Sequence, residues 1–209
     1  ILYLLGDNGA SAEAGPDGTL NEFAQYNLVP ETVSEMVTHL DEIGSARHFN
    51  HYPVGWAHAM NTPYQCTKQI ASHWGGTRNG MIAHWPGGFD AQGEKRHQFT
   101  HVADVGPTIL EAAGIPQPNT VNGVDQRPYP TPAFGYAFTD ADAPDRHTTQ
   151  YFELFGNRAI YHDGWSACTI HSIPWELSGE LPPFDQDSWE LYAPGDYTQA
   201  HNVASDHPE

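Results

Sequence analysis

The chain opens on an uninterrupted apolar run that is followed at once by a polar turn. Residues 1–5 read Ile-Leu-Tyr-Leu-Leu, and Gly6-Asp7-Asn8-Gly9 come directly after them. A continuous apolar run of this length is typical of a strand that is buried on both faces, as in a parallel sheet. Parallel strands require neighbours and crossover connections. We therefore expect an α/β layer, and we expect this chain to be the C-terminal part of a longer protein whose preceding part supplies neighbouring strands.

Helical and extended patterns alternate in the first part of the chain. Apolar spacing and stop signals indicate helices, and Thr62-Pro63 has the residue types of a helix start. A long connection rich in Pro and Gly then covers residues 115–147. The sequence predicts helices over 31–43, 62–74 and 100–113, the last closed by Gly114, with a strand over 80–85.

Antiparallel β-structure is predicted beyond that connection. Tight turns at Gly156-Asn157 and Asp163-Gly164 separate short extended runs, as in a meander. We therefore predict two domains: residues 1–125 as part of an α/β core and residues 126–209 as a small α+β subdomain. The predicted strands cover 148–155, 158–162, 165–171 and 188–192, before a short final helix over 198–205.

The charge of the chain excludes several kinds of partner. It holds 26 acidic and 8 basic residues, for a net charge of −18. Such a surface argues against nucleic acid and against anionic membranes. The two cysteines, Cys66 and Cys168, lack the spacing of a metal site, and buried free thiols are favoured over a disulfide.

Asp7 and Asn8 are the first candidate ligands. They follow a predicted buried strand at its carboxyl end, where ligands bind in open α/β sheets. Carboxylate and amide oxygens are hard ligands that suit Ca²⁺ or Mg²⁺. Asp-Asn-Gly is also an ordinary turn sequence, which the local pattern alone favours.

Two further candidates lie in the segment that ends at a glycine pair. Lys68 is the sole charged side chain between Pro63 and Trp74, which makes it a candidate anion contact or an ordinary surface lysine. His73 precedes Gly75-Gly76, whose lack of side chains permits close backbone approach. This segment is either a binding loop or a simple helix stop.

Several motifs in a fixed order carry a family resemblance. They are Leu4-Leu5-Gly6-Asp7-Asn8-Gly9-Ala10-Ser11, Asn61-Thr62-Pro63-Tyr64 with Lys68, Gly75-Gly76-Thr77-Arg78-Asn79, His84-Trp85-Pro86, residues 97–116, residues 146–153 and Ser188-Trp189-Glu190-Leu191-Tyr192. Together they resemble the sulfatase family of the alkaline phosphatase-like superfamily, in its arylsulfatase type, over essentially the whole chain.

The resemblance implies a fold and an activity. The fold is the C-terminal part of an alkaline phosphatase-like α/β sandwich followed by a small antiparallel-sheet subdomain. The activity is hydrolysis of sulfate esters by a formylglycine nucleophile and a divalent cation, usually Ca²⁺ and alternatively Mg²⁺. Asp7 and Asn8 would be two cation ligands, Lys68 a catalytic contact to the sulfate oxygens, and His73 a further substrate contact.

The family's nucleophile motif, Cys/Ser-x-Pro-x-Arg, does not occur in these 209 residues. Neither cysteine is followed by the required residues, and Ser172-Ile173-Pro174-Trp175-Glu176 has Glu in the place of Arg. The resemblance therefore implies that formylglycine lies in a preceding N-terminal part, with which this chain would assemble, and that this chain alone is inactive.

Two alternatives stay open. A phosphonate or phosphodiester hydrolase of the same superfamily would share the metal ligands, and a non-catalytic Ca²⁺-binding module would need no nucleophile. The sequence does not identify the alcohol portion of the substrate. For a bacterial sulfatase, either the cytoplasm or the periplasm is expected.

Overall fold

The computed structural model describes residues 1–176 and 179–208 and divides them into two compact units. One unit combines residues 1–4 with 81–150, and the other combines residues 5–80 with the described residues from 151 onwards. Each unit thus draws on both sides of position 125, where we predicted a domain boundary. That boundary stays a prediction for the whole protein.

Short elements joined by long irregular segments make up both units. The strands are β1 (Leu2–Leu4), β2 (Met81–Ala83), β3 (Thr120–Val121), β4 (Val124–Asp125), β5 (Thr149–Leu154), β6 (Asn157–His162), β7 (Trp165–Thr169) and β8 (Trp189–Tyr192). The α-helices are α1 (Glu22–Tyr26), α2 (Val33–Val37), α3 (Val54–Asn61), α4 (Trp74–Thr77) and α5 (Val105–Ala113). Single 3₁₀ turns cover Leu40–Glu42, Val102–Asp104, Gly135–Phe138, Phe184–Gln186 and Ala204–Asp206.

The opening strand pairs in the opposite sense to our prediction. β1 is antiparallel to β2, with Tyr3 opposite Ile82, and Tyr3 is 57% exposed. The expectation of a parallel strand buried on both faces is therefore wrong for the described residues. An apolar run indicates that the side chains of a strand favour burial. It carries no information on whether the neighbouring strand is parallel or antiparallel.

A buried polar network anchors α5 in the first unit. The hydroxyl of Thr108 donates to the Asp104 carbonyl at 2.6 Å and accepts from the Phe134 amide at 2.9 Å. The Asp104 carboxylate lies 2.8 Å from His147 Nδ1, and both side chains are buried. Gly114 closes the helix with a φ of 66°, as predicted, because a left-handed C-cap favours glycine.

Antiparallel pairing in the second unit confirms the predicted meander. The strands follow the order β5-β6-β7-β8, with β7 antiparallel to both of its neighbours. Ala159, Cys168 and Tyr192 form the core beneath this sheet, and Phe152 packs against them. The predicted final helix is only the 3₁₀ turn Ala204–Asp206.

Two predicted helices are wrong in position or length. The helix expected over 62–74 does not form: α3 ends at Asn61, α4 begins at Trp74, and between them Cys66 and Gln69 have φ values of 68° and 74° that a right-handed helix excludes. The helix expected over 31–43 stops at Val37, because the Thr38 hydroxyl and amide both bond the Glu35 carbonyl. Across the described residues, every helix is too short or too polar to cross a membrane.

Candidate functional site

The turn after β1 presents two oxygen ligands of the kind that hard cations bind. The Asn8 amide donates from Nδ2 to Asp7 Oδ1 at 2.9 Å, so the two side chains lie together. Asp7 is exposed and Asn8 is half-buried. Among residues 1–176 and 179–208, no basic side chain forms an ion pair with Asp7.

Backbone contacts hold the residues after this turn against the segment that contains Lys68. The Gly9 amide donates to the Gly76 carbonyl at 2.9 Å, and the Lys68 amide donates to the Ala10 carbonyl at 2.9 Å. A Cβ on Gly9 would lie 1.6 Å from the Gly75 carbonyl oxygen, so only glycine permits this approach. The second unit therefore joins the turn that carries Asp7 and Asn8 to the segment of Lys68 through backbone hydrogen bonds at Gly9 and Ala10.

Asn61 completes that network from the end of α3. Its Oδ1 accepts from the Ala10 amide at 2.9 Å, and its Nδ2 donates to the Cys66 carbonyl at 3.0 Å. One side chain thus satisfies backbone groups of both segments, and it fixes the distance between them.

The Lys68 ammonium is held by a buried carboxylate. Lys68 Nζ lies 3.0 Å from Glu13 Oε2, with Lys68 36% and Glu13 9% exposed. Ser11 donates to the same oxygen at 2.6 Å, and Gln69 donates to the other. Burial raises the pKa of Glu13, but the hydrogen bonds from Ser11 and Lys68 outweigh it and bring this pKa below its usual value. Glu13 is therefore ionised at neutral pH and fixes the ammonium.

His73 lies in the interior of the second unit. It is 1% exposed, its Nε2 lies 2.8 Å from Glu190 Oε2, and its Nδ1 lies 2.9 Å from Ser72 Oγ. Both ring nitrogens are thus engaged inside the protein. The predicted contact of His73 with substrate stays a prediction, to which this burial gives no support.

Glu13 and Asn61 are the site residues for which sequence reasoning assigned no role. Asn61 stands in one of the motifs that carry the resemblance, so its position there was a usable signal. Glu13 stands in a small-residue loop, and its partner Lys68 is 55 positions away. Nothing in the local pattern indicates such a pairing.

Both cysteines are free thiols, as predicted, with Cys66 half-buried and Cys168 buried. Burial, and then the charge of Glu190, raises the pKa of each thiol to about 12. Neither cysteine is therefore a thiolate nucleophile at neutral pH.

Metal-ligand chemistry is present in several places. The Asp7–Asn8 pair offers hard oxygens, including a carboxylate that has no basic partner in the described part of the chain, and so fits Ca²⁺ or Mg²⁺ as part of a larger ligand set. Elsewhere among the described residues, three clusters place their donor atoms within 4.8 Å of one another: His39–Glu42–His48, His73–Cys168–Glu190 and Glu13–Glu22–His51.

Comparison with known proteins identifies the family to which this chain belongs. In an α/β chain, a turn with hard oxygen ligands is joined through backbone hydrogen bonds to a lysine-containing segment. The family model described as Sulfatase matches residues 1–115, which include Asp7, Asn8, Lys68 and His73. The chain therefore belongs to the sulfatase family, as the resemblance predicted, and this membership implies an alkaline phosphatase-like α/β fold and a general dependence on metal.

A relative from Schizosaccharomyces pombe, described as an uncharacterized sulfatase, is 27% identical over 214 aligned positions. The match covers 100% of this chain and 35% of that relative. The chain thus spans about a third of the length of the relative that it matches.

Proposed function

We propose that this chain is the C-terminal portion of an arylsulfatase-type sulfuric ester hydrolase, built as part of an alkaline phosphatase-like α/β sandwich with an antiparallel-sheet subdomain. The observation that carries the proposal is the backbone network that joins the Asp7–Asn8 turn to the Lys68 segment. That network lies within the region matched by the sulfatase family model.

Asp7 and Asn8 would hold the divalent cation, Ca²⁺ or alternatively Mg²⁺, together with ligands from the preceding part of the protein. A bound cation supplies Lewis-acid polarisation of the sulfate group and lowers the pKa of the attacking hydroxyl. The residues of this chain would supply two of the cation ligands and hold them in place. The hydrogen bond from Asn8 to Asp7 orients the pair.

Lys68 would contact the sulfate oxygens and stabilise negative charge that develops on the leaving oxygen. An ammonium at such a position acts in the transition state more than in the ground state, which is what accelerates a reaction. Glu13 holds the ammonium in one location, and Ser11 and Gln69 in turn orient the Glu13 carboxylate, so less reorganisation is needed during turnover.

The nucleophile is proposed to lie outside this chain, as formylglycine in a preceding N-terminal part with which these residues assemble. The substrate is a sulfate ester. Neither nucleic acid nor membrane is a proposed partner, because the charge of −18 repels anionic surfaces. From the family resemblance, we propose a location in the bacterial cytoplasm or periplasm.

The test compares substrate classes with the full-length protein. Sulfate release from 4-nitrophenyl sulfate is measured beside hydrolysis of the matching phosphate monoester, phosphodiester and phosphonate, with Ca²⁺ and again with chelator. We expect the highest kcat/KM with the sulfate ester and its loss with chelator. A higher kcat/KM for the phosphodiester or phosphonate would contradict the assignment, and Ca²⁺ binding without any turnover would favour a non-catalytic module.

A further inference from the structure

A thiol, an imidazole and a carboxylate meet in the interior of the second unit, apart from the proposed cation turn. They belong to Cys168 on β7, Glu190 on β8 and His73 just before α4. Cys168 and Glu190 are directly opposite in the antiparallel register, and His73 joins them from a segment about 95 positions away in the chain. Three separate segments thus deliver three different donor atoms to one place.

The three donor atoms converge on one point. His73 Nε2 lies 2.8 Å from Glu190 Oε2 and 3.7 Å from Cys168 Sγ, and all three atoms lie within 4.8 Å of one another. A tetrahedral Zn²⁺ with ordinary bond lengths separates its nitrogen, sulfur and oxygen ligands by about 3.4–3.6 Å. The sulfur–nitrogen separation is already near that value, and the Glu190 oxygen needs to withdraw by roughly half an ångström.

A Cys–His–Glu catalytic triad does not describe this cluster. In a triad the nucleophile and the carboxylate bind opposite nitrogens of the imidazole. Here Cys168 and Glu190 both face Nε2, while Nδ1 faces Ser72 Oγ at 2.9 Å. Convergence on a single nitrogen is the arrangement of a chelate, and Ser72 stands where a second-shell partner orients a metal-bound histidine.

Other neighbours fix the remaining two ligands. The Tyr192 hydroxyl donates to Glu190 Oε2 at 2.8 Å, and Gln199 Nε2 approaches Cys168 Sγ at 3.9 Å. His73 is 1% and Glu190 35% exposed at the side chain, so solvent and ions reach the cluster at Glu190. The site is therefore enclosed on the sulfur and imidazole side and open at the carboxylate.

We propose that His73, Cys168 and Glu190 form a site for a borderline-soft divalent metal, with Zn²⁺ as the expected ion. Sulfur and imidazole ligands select Zn²⁺ over Ca²⁺, which requires oxygen ligands. On binding, the Cys168 thiol releases its proton to solvent, and the His73 proton resides on Nδ1, where Ser72 Oγ accepts it. One thiolate, one carboxylate and Zn²⁺ sum to zero charge, which suits a buried location.

The test uses the full-length protein, stripped of metal and titrated with Co²⁺ as a spectroscopic substitute for Zn²⁺. We expect one equivalent of Co²⁺ to produce thiolate-to-cobalt charge-transfer absorption, which Zn²⁺ then removes by competition. In Cys168→Ser this absorption is lost and Zn²⁺ affinity falls by more than about 100-fold, since even second-shell changes cost about 10- to 100-fold. The matched variant Cys66→Ser and the variant Asp7→Ala retain the absorption.

Glu190→Gln provides an independent test if Cys168→Ser fails to fold. This partly exposed substitution keeps the size of the side chain, and we expect it to weaken Zn²⁺ binding by more than about 10-fold. No charge-transfer absorption in the wild-type protein would overturn the proposal. Absorption that persists in Cys168→Ser, absorption that is lost only in Cys66→Ser, or unchanged affinity in Glu190→Gln would overturn it as well.

Discussion

Lys68 illustrates how one residue gains a chemical role from its surroundings. By sequence it is an isolated lysine, and in the structure a buried Glu13 carboxylate holds its ammonium at 3.0 Å. The ion pair gives the ammonium a defined position. The Lys68 side chain nevertheless remains 36% exposed, so the ammonium is not fully buried. Under the proposed function, that position is where the sulfate oxygens bind.

Lys68→Ala is expected to lower kcat for sulfate ester hydrolysis by about 100- to 1,000-fold, the usual cost of removing one group that stabilises transition-state charge. Steady-state kinetics of the full-length protein measure the effect. Lys95→Ala removes an exposed lysine and serves as the matched control. A Lys68→Ala protein with the kcat of Lys95→Ala would contradict the role of this residue.

Glu13→Gln is expected to reduce stability in a pH-dependent way. The pKa of Glu13 is lowered in the folded protein from a usual value near 4.5, so its ionised form stabilises the fold. That contribution is present above about pH 4.5 and is lost as the pH falls through the lower folded-state pKa. Denaturant unfolding at several pH values should therefore show a difference between wild type and variant that shrinks on acidification.

Glu180→Gln, at an exposed side chain, is the control for this experiment. Its effect should stay within about 0.5 kcal/mol at every pH, as is usual for surface substitutions. A difference between wild type and Glu13→Gln that is constant or grows as the pH falls would show that Glu13 is not the ionised anchor described above.

At the scale of elements, the glycine pair that follows Trp74 determines how closely backbone segments pack. A Cβ on Gly75 would lie 2.1 Å from the Gln65 carbonyl oxygen and 2.2 Å from the Cys66 carbonyl oxygen. The turn after β1 reaches the Lys68 segment only because these segments touch through backbone atoms. Any side chain at this position separates them.

Gly75→Ala is therefore expected to destabilise the protein by at least about 2 kcal/mol, because overpacking against rigid backbone forces it to shift. Gly55→Ala is the matched control, since it lies in α3 with no atom within 4 Å of an added Cβ. There we expect a change between zero and a gain of about 1 kcal/mol from higher helix propensity. Thermal unfolding of both variants measures the contrast, and equal midpoints would refute the packing argument.

Elements with local signals could be predicted from sequence, and those that depend on distant partners could not. The meander of β5 to β8 follows from alternation and tight turns, and Gly114 closes α5 where glycine indicates a helix end. The antiparallel pairing of β1 depends on a strand 77 or more positions away. Left-handed backbone at Cys66 likewise has no signal in its own sequence, and it converts a predicted helix into turns.

The site shows the same division. Asp7, Asn8 and Lys68 could be proposed because family motifs contain them, and the family is now established by the match over residues 1–115. The roles of Glu13 and Asn61 could not be proposed from the sequence, because each role depends on a fold that brings together segments far apart in the chain.

At the scale of the whole molecule, charge is the dominant property. With 26 acidic and 8 basic residues, like charges crowd the surface and repel one another. Screening reduces this repulsion, since the Debye length falls from about 10 Å at 0.1 M salt to about 3 Å at 1 M.

We expect the melting temperature to rise by at least about 3 °C between 0.1 M and 1 M NaCl, which corresponds to roughly 1 kcal/mol for a chain of this size. Differential scanning fluorimetry measures the shift, and glucose at equal osmolarity controls for effects other than screening. A melting temperature that falls with salt, or that rises equally with glucose, would mean that self-repulsion does not limit stability.

Under the proposed function, Asp7 and Asn8 bind the cation on which sulfate ester hydrolysis depends. The most direct test measures Ca²⁺ affinity by calorimetry and sulfate release from 4-nitrophenyl sulfate in full-length wild type, Asp7→Ala and Asp17→Ala, the last being an exposed aspartate in the same unit. We predict that Asp7→Ala loses both Ca²⁺ binding and turnover, and that Asp17→Ala keeps both. An Asp7→Ala protein with wild-type affinity and wild-type turnover would contradict the account.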